Sequence, residues 1–289
     1  MQVLYKNEMA IKPTQVEKAE QLHKLHYTGR LLILPNIWDV LGAKLLQDIG
    51  YAAVATASAA IAYANGYNDG EHIPFNELLH ILKRIAGSVN VPVTADIESG
   101  YAANETELEQ NIQQLIKTGI AGINIEDTDK PTNSLLHLDI QCERIKLIKK
   151  VALKNEVPLF INARTDTFIH AKSFVSTQQQ LDETIKRGMA YKAAGADCFY
   201  PILAHNIEQL QTIVAAVNMP VNVLLTPVSP GPDKLQQAGI TRVSLGPGFL
   251  KHAVKAMKDL AIKLQHHEGM EDIAGNNITS EYLKHLSLH

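Results

Sequence analysis

The sequence predicts an α/β protein of the (β/α)8 type, a TIM barrel with an extra N-terminal helix and a C-terminal helical extension. Three observations carry this expectation. Eight short β-rich runs alternate with longer segments of helical apolar period. Most helical segments close on glycine or another turn residue just before the next run, as in "QDIGYAAV", "KTGIAGI", "KAAGADCF" and "QQAGITRV", where glycine accepts the left-handed cap. The punctuation recurs roughly every 25 to 40 residues without a linker through the 289-residue chain. Eight βα units in one series favour a closed barrel over an open doubly wound sheet, the runner-up.

In chain order, a helical stretch around Thr14 to His26 precedes the first run. The runs are "RLLILPN" (Arg30 to Asn36), "YAAVATA" (Tyr51 to Ala57), "PVTADIE" (Pro92 to Glu98) and "GINIED" (Gly122 to Asp127), then "PLFINAR" (Pro158 to Arg164), "ADCFYP" (Ala196 to Pro201), "PVNVLL" (Pro220 to Leu225) and "RVSLG" (Arg242 to Gly246). The helices between them are expected at Val40 to Gln47, Phe75 to Ile85, Glu105 to Lys117, Gln141 to Lys154, Gln180 to Ala193, Ile207 to Ala216 and Pro232 to Ala238, with Lys251 to Gln265 after the last run. Residues 1–265 thus form one barrel domain and 266–289 an extension, whose apolar residues Ile278, Tyr282, Leu283 and Leu286 need cover, best supplied by a neighbouring subunit. Asp127 to Asp139 has turn chemistry and no period, so it is expected to be an irregular, mobile loop at the barrel mouth.

Composition narrows the partner. A formal charge of −3 and a pI near 6.5 provide no basic field for nucleic acid, and no Lys/Arg block suggests a membrane surface, so a small soluble molecule is expected. Cys142 and Cys198 are too few for a disulfide framework. The first residues lack an apolar leader and no run approaches the roughly 20 residues of a membrane span, so the expected location is cytoplasmic.

In a parallel barrel the active site lies at the C-terminal strand ends, and polar residues gather there. Strand one ends in Asn36, Trp38 and Asp39, and strand two in Thr56 and Ser58, with Asp69 in the following loop. Strand three ends in Asp96 and Glu98, strand four in Glu126 and Asp127, strand five in Asn162, Arg164 and Asp166, and strand seven in Asn222 and Thr226. Residues i and i+2 of a strand share a face, which would place Asp96 and Glu98 in the same space. Carboxylates that close repel each other unless a cation lies between them. With Glu126 and Asp69 the set is all oxygen, which suits Mg²⁺ or Mn²⁺ rather than Zn²⁺. Arg164 offers a fork for a carboxylate or phosphoryl group. Each residue also has a plainer role: Arg164 and Asp166 can be a structural ion pair, Ser58 a turn cap and Trp38 packing. The convergence of several strand ends favours the functional reading.

These residues resemble the isocitrate lyase and phosphoenolpyruvate mutase superfamily. The matching stretches are "LPNIWDVLGAKLLQDIGYAAVATASAA", "GYNDGE", "VPVTADIESGY", "GINIED" and "INARTD", in order, within roughly residues 15 to 265. The resemblance implies a barrel whose last helix is exchanged between subunits of a homo-oligomer, a dimer or dimer of dimers, with Mg²⁺ holding a 2-oxo acid or its enolate. It makes Asp96 the direct metal ligand, with Asp69, Glu98 and Glu126 acting through water. Ser58 with the N–H groups of Ala59 and Ala60 would cradle a substrate carboxylate, Trp38 would contact substrate, and Arg164 would bind the anion. Glu98 stands where the family usually has Asp. The family's lyases carry a K-K-C-G-H type motif after strand four, whose cysteine protonates the departing enolate. Here the loop reads "EDTDKPTNSLL" and has no cysteine. It is closer to the P-K-T-N-S of the mutase and phosphonopyruvate hydrolase members, with Lys and Pro transposed, so Asn133 carries over by position and Lys130 is the weaker match.

The expected activity is therefore Mg²⁺-dependent breakage or rearrangement of a C–C or P–C bond in an oxaloacetate- or phosphonopyruvate-like acid, with Glu126, Arg164 and Asn133 as the candidate catalytic set. The alternatives are an isocitrate- or 2-methylisocitrate-type lyase using another acid, a Schiff-base aldolase, which would need a lysine at a strand end, and a silent metabolite-binding barrel.

Overall fold

A computed structural model describes residues 12–287; the leader expectation falls largely outside them. Helix α1 (Gln15–Leu25) starts at a capping box: the Thr14 side chain accepts from the Glu17 N–H, and the Glu17 carboxylate takes the Thr14 N–H. Its Ala19 and Leu22 pack on Leu34, Ala53, Ala55, Ala121, Phe160 and Cys198, of which Ala53, Ala121, Phe160 and Cys198 lie at or just before strand N-termini, so α1 plugs the bottom of the sheet. The approach is close enough that a Cβ on Gly122 would lie 2.8 Å from Leu22 Cδ2.

All eight expected strands are present, the first one broken at Pro35 into β1 (Leu32–Leu34) and β2 (Asn36–Ile37). The others are β3 (Val54–Thr56), β4 (Val93–Asp96), β5 (Gly122–Ile125), β8 (Phe160–Thr165), β9 (Cys198–Pro201), β10 (Asn222–Leu224) and β11 (Arg242–Ser244), with a small antiparallel pair, β6 (Thr128–Asp129) and β7 (Ser134–Leu135), between β5 and β8. The parallel orders are β2-β3-β4-β5-β8-β9 and β1-β11-β10. The two sheets are joined at both ends, through Pro35 on one side and by the parallel bridge Phe199–Val221 on the other. Asn36 stitches the first seam: its Nδ2 donates to Thr56 O at 2.8 Å, and its Oδ1 accepts from the N–H groups of Leu245 and Gly246.

The helices are α2 (Val40–Asp48), α3 (Ser58–Ala64), α4 (Phe75–Ser88), α5 (Glu105–Ile116), α6 (Leu138–Lys154), α7 (Thr177–Ala194), α8 (Ile207–Val217), α9 (Pro232–Gln237), α10 (Gly248–Gln265), α11 (Met270–Ala274) and α12 (Ser280–Ser287). Apolar residues at helical spacing, such as Leu78, Leu82 and Ile85 of α4 or Leu108, Ile112 and Leu115 of α5, bury against the outer strand faces. Each such side chain contributes roughly 1.5–3 kcal/mol by leaving water. Helix α10 differs, since no residue of it is buried and Phe249, Val254, Met257 and Ile262 are exposed.

Three expectations change. The mouth segment after β5 is a hairpin rather than an irregular loop, because β6 and β7 pair as Thr128↔Leu135 and Asp129↔Ser134. The C-terminal tail is covered in part by its own chain: Leu286 is buried and Tyr282 Oη donates to Asp48 Oδ2 of α2 at 2.8 Å, while Ile278 and Leu283 remain exposed. Asn222 begins β10 rather than ending it and is fully buried inside the sheet, so it belongs to the interior and not to the mouth. Among the described residues no helix is long and apolar enough to cross a membrane.

Candidate active site

Strand β4 delivers Asp96 to the mouth. Its Oδ2 accepts from Ser58 Oγ at 2.8 Å and from the Ser58 N–H at 3.3 Å, while its own N–H donates to Thr56 Oγ1. Ser58 is not a turn residue at a strand end but the first residue of α3, a helix absent from the sequence expectation. The preceding Ala57 makes no side-chain cap, so beyond the Ser58 N–H that Asp96 accepts, the N–H groups of Ala59 and Ala60 lack a capping side chain.

Glu98 reaches the same region by a different route from strand alternation. The strand ends at Asp96, Ile97 is buried, and Glu98 sits in the left-handed region at φ +51°. Gly100 (φ +100°) and Tyr101 (φ +54°) continue the turn. Such backbone costs of order 1 kcal/mol or more per non-glycine residue and persists only where its surroundings hold it. Here Glu71 holds it. Glu71 Oε1 accepts from the Ser99 N–H at 2.9 Å, Ser99 Oγ at 2.6 Å and the Tyr101 N–H at 3.0 Å, while the Glu71 N–H donates to Glu98 Oε1 at 2.8 Å. Glu71 lies in "GYNDGE", and sequence reasoning passed over it in favour of Asp69. Burial pushes the Glu98 carboxyl up, partly offset by Lys130.

Glu126, beyond the end of β5, is the meeting point. Arg164 Nη1 lies 2.8 Å from Glu126 Oε2, and Lys130 Nζ lies 2.5 Å from Glu126 Oε1 and 2.9 Å from Glu98 Oε2. Burial pushes the Glu126 carboxyl up to about 7 against the pull of Arg164. Burial also acts to lower Lys130, but Glu126 and Glu98 outweigh it and hold the ammonium charged. Arg164 is bidentate to Asp166, Nε to Oδ1 at 2.6 Å and Nη2 to Oδ2 at 3.1 Å, so the plainer ion-pair role and the site role coexist in one side chain. Asp69, exposed as a residue at the rim, has its carboxyl raised by local loss of water and then by Asp96.

Two expected residues are placed elsewhere. Asn133 is exposed in the β6–β7 turn at φ +49°, and no hydrogen bond joins it to the acids, because the hairpin register sends position 130 down and position 133 outward. Trp38 lines a cleft of about 610 Å³ between α2, α4 and Leu286 of the tail. Asp127, read as a strand-end acid, faces away from the site into the sheet–helix layer, where Thr165, Arg187 and Tyr191 bind its carboxylate. The fold thus gathers Asp96, Ser58, Glu98, Glu126, Arg164 and Lys130, with Asp69 at the edge.

Among the described residues no three His, Cys, Asp or Glu side chains stand together at direct ligand distance. The donor chemistry nonetheless fits Mg²⁺, which keeps several of its waters and uses few direct carboxylates. A cation already sits among these acids, in the form of the Lys130 ammonium.

The family model of phosphoenolpyruvate phosphomutase matches residues 22–265. The chain belongs to that family. An uncharacterised Mycobacterium tuberculosis protein is 31% identical over 225 residues, 78% of this chain and 81% of its own length. The 2-methylisocitrate lyase of Bacillus subtilis is 24% identical, with 90% of this chain and 87% of the relative covered. A phosphonopyruvate hydrolase solved in complex with oxalate and Mg²⁺ superposes with a TM-score of 0.81 over 95% of both chains, a likeness of fold at 19% identity. The superfamily joining phosphoenolpyruvate mutase and isocitrate lyase consists of lyases, hydrolases and phosphonomutases, and this chain is an enzyme of that group.

Proposed function

We propose that this phosphoenolpyruvate mutase family member acts on a small 2-oxo acid of the oxaloacetate or phosphonopyruvate class, breaking or rearranging the C–C or P–C bond next to the carbonyl through an enolate. The observation that carries the reading is that Glu98 and Glu126 close on a cation at the strand-end mouth, next to Asp96 with its Ser58 partner and next to Arg164. Asp96 would hold Mg²⁺ (or Mn²⁺) directly, with Asp69, Glu98 and Glu126 acting through water. When bound, the ion supplies Lewis acidity that polarises the 2-oxo group.

The protein's own groups do the rest. The N–H groups of Ser58, Ala59 and Ala60 at the start of α3 orient the substrate carboxylate, and Ser58 Oγ turns from Asp96 toward the ligand. Arg164, anchored by Asp166, balances charge that develops on the substrate. Glu126, whose carboxyl is pushed up to about 7 by burial, is placed to carry a proton at Oε1 or Oε2. Loss of the lyase-loop cysteine favours decarboxylation, P–C hydrolysis or phosphoryl migration over tricarboxylate cleavage. A Schiff-base route through Lys130 is disfavoured, because two carboxylates hold its amine in the unreactive charged form.

We also assign the exposed apolar residues of α10 to contact with a second copy, as the exchanged helix of the family would require. Light scattering that returns only a monomer would reject this. The activity is tested by NMR on oxaloacetate, phosphonopyruvate, phosphoenolpyruvate and methylisocitrate with Mg²⁺ or with excess EDTA. Turnover that survives EDTA, or Asp96→Ala at wild-type rate, would refute the metal-dependent reading.

A further inference from the structure

We infer that Lys130 is a tethered competitor for the metal: its ammonium and a divalent cation occupy the same carboxylates in turn, so metal loading lifts the β6–β7 hairpin off the site. This rests on the proposed metal reading.

The hairpin is organised locally. Beyond its two ladder pairs, the Thr132 N–H donates to Asp129 Oδ2 at 3.3 Å, and the Thr132 and Ser134 hydroxyls lie 2.8 Å apart. Lys130, the first residue of the connection, leaves this unit and reaches inward, where Glu98 and Glu126 are nearly sealed from water, with side chains 3% and 4% exposed. The contacts use Glu98 Oε2 and Glu126 Oε1, one oxygen from each acid. Buried acids this close need a positive charge between them, and the lysine supplies it when no metal does. A divalent ion drawn to the same acids would face the ammonium at a few ångströms in a poorly screened site. The two cations exclude one another. The remaining Glu98 oxygen is held by the Glu71 N–H and the remaining Glu126 oxygen by Arg164, so the acids themselves stay in place when the lysine leaves. Lys130 is thus a positioning residue that links metal occupancy to the hairpin, and once released its ammonium faces whatever anion arrives.

The test is Mn²⁺ binding by electron paramagnetic resonance for the wild type, Lys130→Met and Lys130→Arg, with hydrogen exchange of amides 128–136 measured with and without Mn²⁺. Lys130→Met is expected to bind Mn²⁺ at least tenfold more tightly, and Lys130→Arg within about threefold of wild type. Mn²⁺ should speed hairpin exchange in the wild type and leave it unchanged in Lys130→Met. Equal or weaker Mn²⁺ binding by a Lys130→Met protein whose circular dichroism matches wild type overturns the inference while leaving the metal reading intact. Failure of wild type and Lys130→Met alike to bind millimolar Mn²⁺ overturns both.

Discussion

Glu126 and Asp127 are neighbours in the chain, both nearly or fully buried, yet they belong to different kinds of structure. Asp127 is saturated by groups fixed in the scaffold: Thr165 Oγ1 at 2.7 Å, the Asp166 N–H at 2.8 Å, Arg187 Nη1 at 2.9 Å and Tyr191 Oη at 2.6 Å. Glu126 has two cationic partners, and each is shared with another acid, Lys130 with Glu98 and Arg164 with Asp166. Burial alone does not separate a structural acid from a functional one. The partners do: three neutral scaffold donors and one arginine fix the Asp127 charge, whereas Glu126 is balanced by two cations, one of them on the β6–β7 hairpin, and can exchange that one for a ligand.

The largest expected effect follows from the structural member. Asp127→Ala leaves Arg187 buried with Tyr191 and part of Glu183 for company and should cost about 3–5 kcal/mol of stability. Urea unfolding measures it, and a loss below about 1 kcal/mol would erase the distinction drawn between the two acids. Asp96→Asn should behave in the opposite way. It should cut kcat/KM by about 10²- to 10³-fold, the loss of several kcal/mol of charge stabilisation, while leaving the urea midpoint within about 0.5 kcal/mol. A parallel loss of stability and activity would place Asp96 with Asp127 instead.

At the other end of the barrel a third buried group sharpens the rule. His26 stacks on Phe160 with centroids 4.2 Å apart, bonds Leu22 O through Nδ1 at 2.8 Å and leaves Nε2 without a partner. Burial, then the charge of Arg242, pushes its pKa down from 6.5 to about 3. The unfolded chain therefore takes the proton first as pH falls. The stabilising contribution is complete above about 6.5 and is lost as pH falls toward 3, amounting to about 2 kcal/mol by pH 5 at 1.4 kcal/mol per pH unit. His26→Phe should remove this acid sensitivity, and the check is the difference between urea stabilities at pH 7 and pH 5 in the two proteins.

The sequence showed the scaffold well, because period and glycine caps are local properties. All eight strands and the nine helices named from the sequence are found in the structure, with ends shifted by a few residues. The site was legible only as a list of strand ends. Alternation stops where the pleat stops, so it could not foresee that Glu98 is aimed by a left-handed turn rather than by β4. Nor could it foresee that Asn133 turns outward while Lys130 turns in, since that depends on the register of a hairpin two residues per strand long. The turn around Glu98 is set by a residue 27 positions away, and no local pattern reports such a contact.

That residue supplies the smallest of the expected effects. Glu71→Gln keeps a side-chain oxygen for Ser99 and Tyr101 and should change little. Glu71→Ala removes the acceptor of three hydrogen bonds at a mouth that water can reach, so the stability cost should stay near 1 kcal/mol. Its consequence lies in geometry. Without Glu71 the positive-φ turn at Glu98 and Tyr101 relaxes, Glu98 leaves the cluster, and Mn²⁺ affinity should fall about tenfold, in line with the usual cost of losing an outer support of a metal ligand. Isothermal titration of Mn²⁺ into both variants separates the possibilities. A Glu71→Ala protein that binds the ion as tightly as wild type would show that Glu98 belongs with the scaffold acids, on the Asp127 side of the comparison.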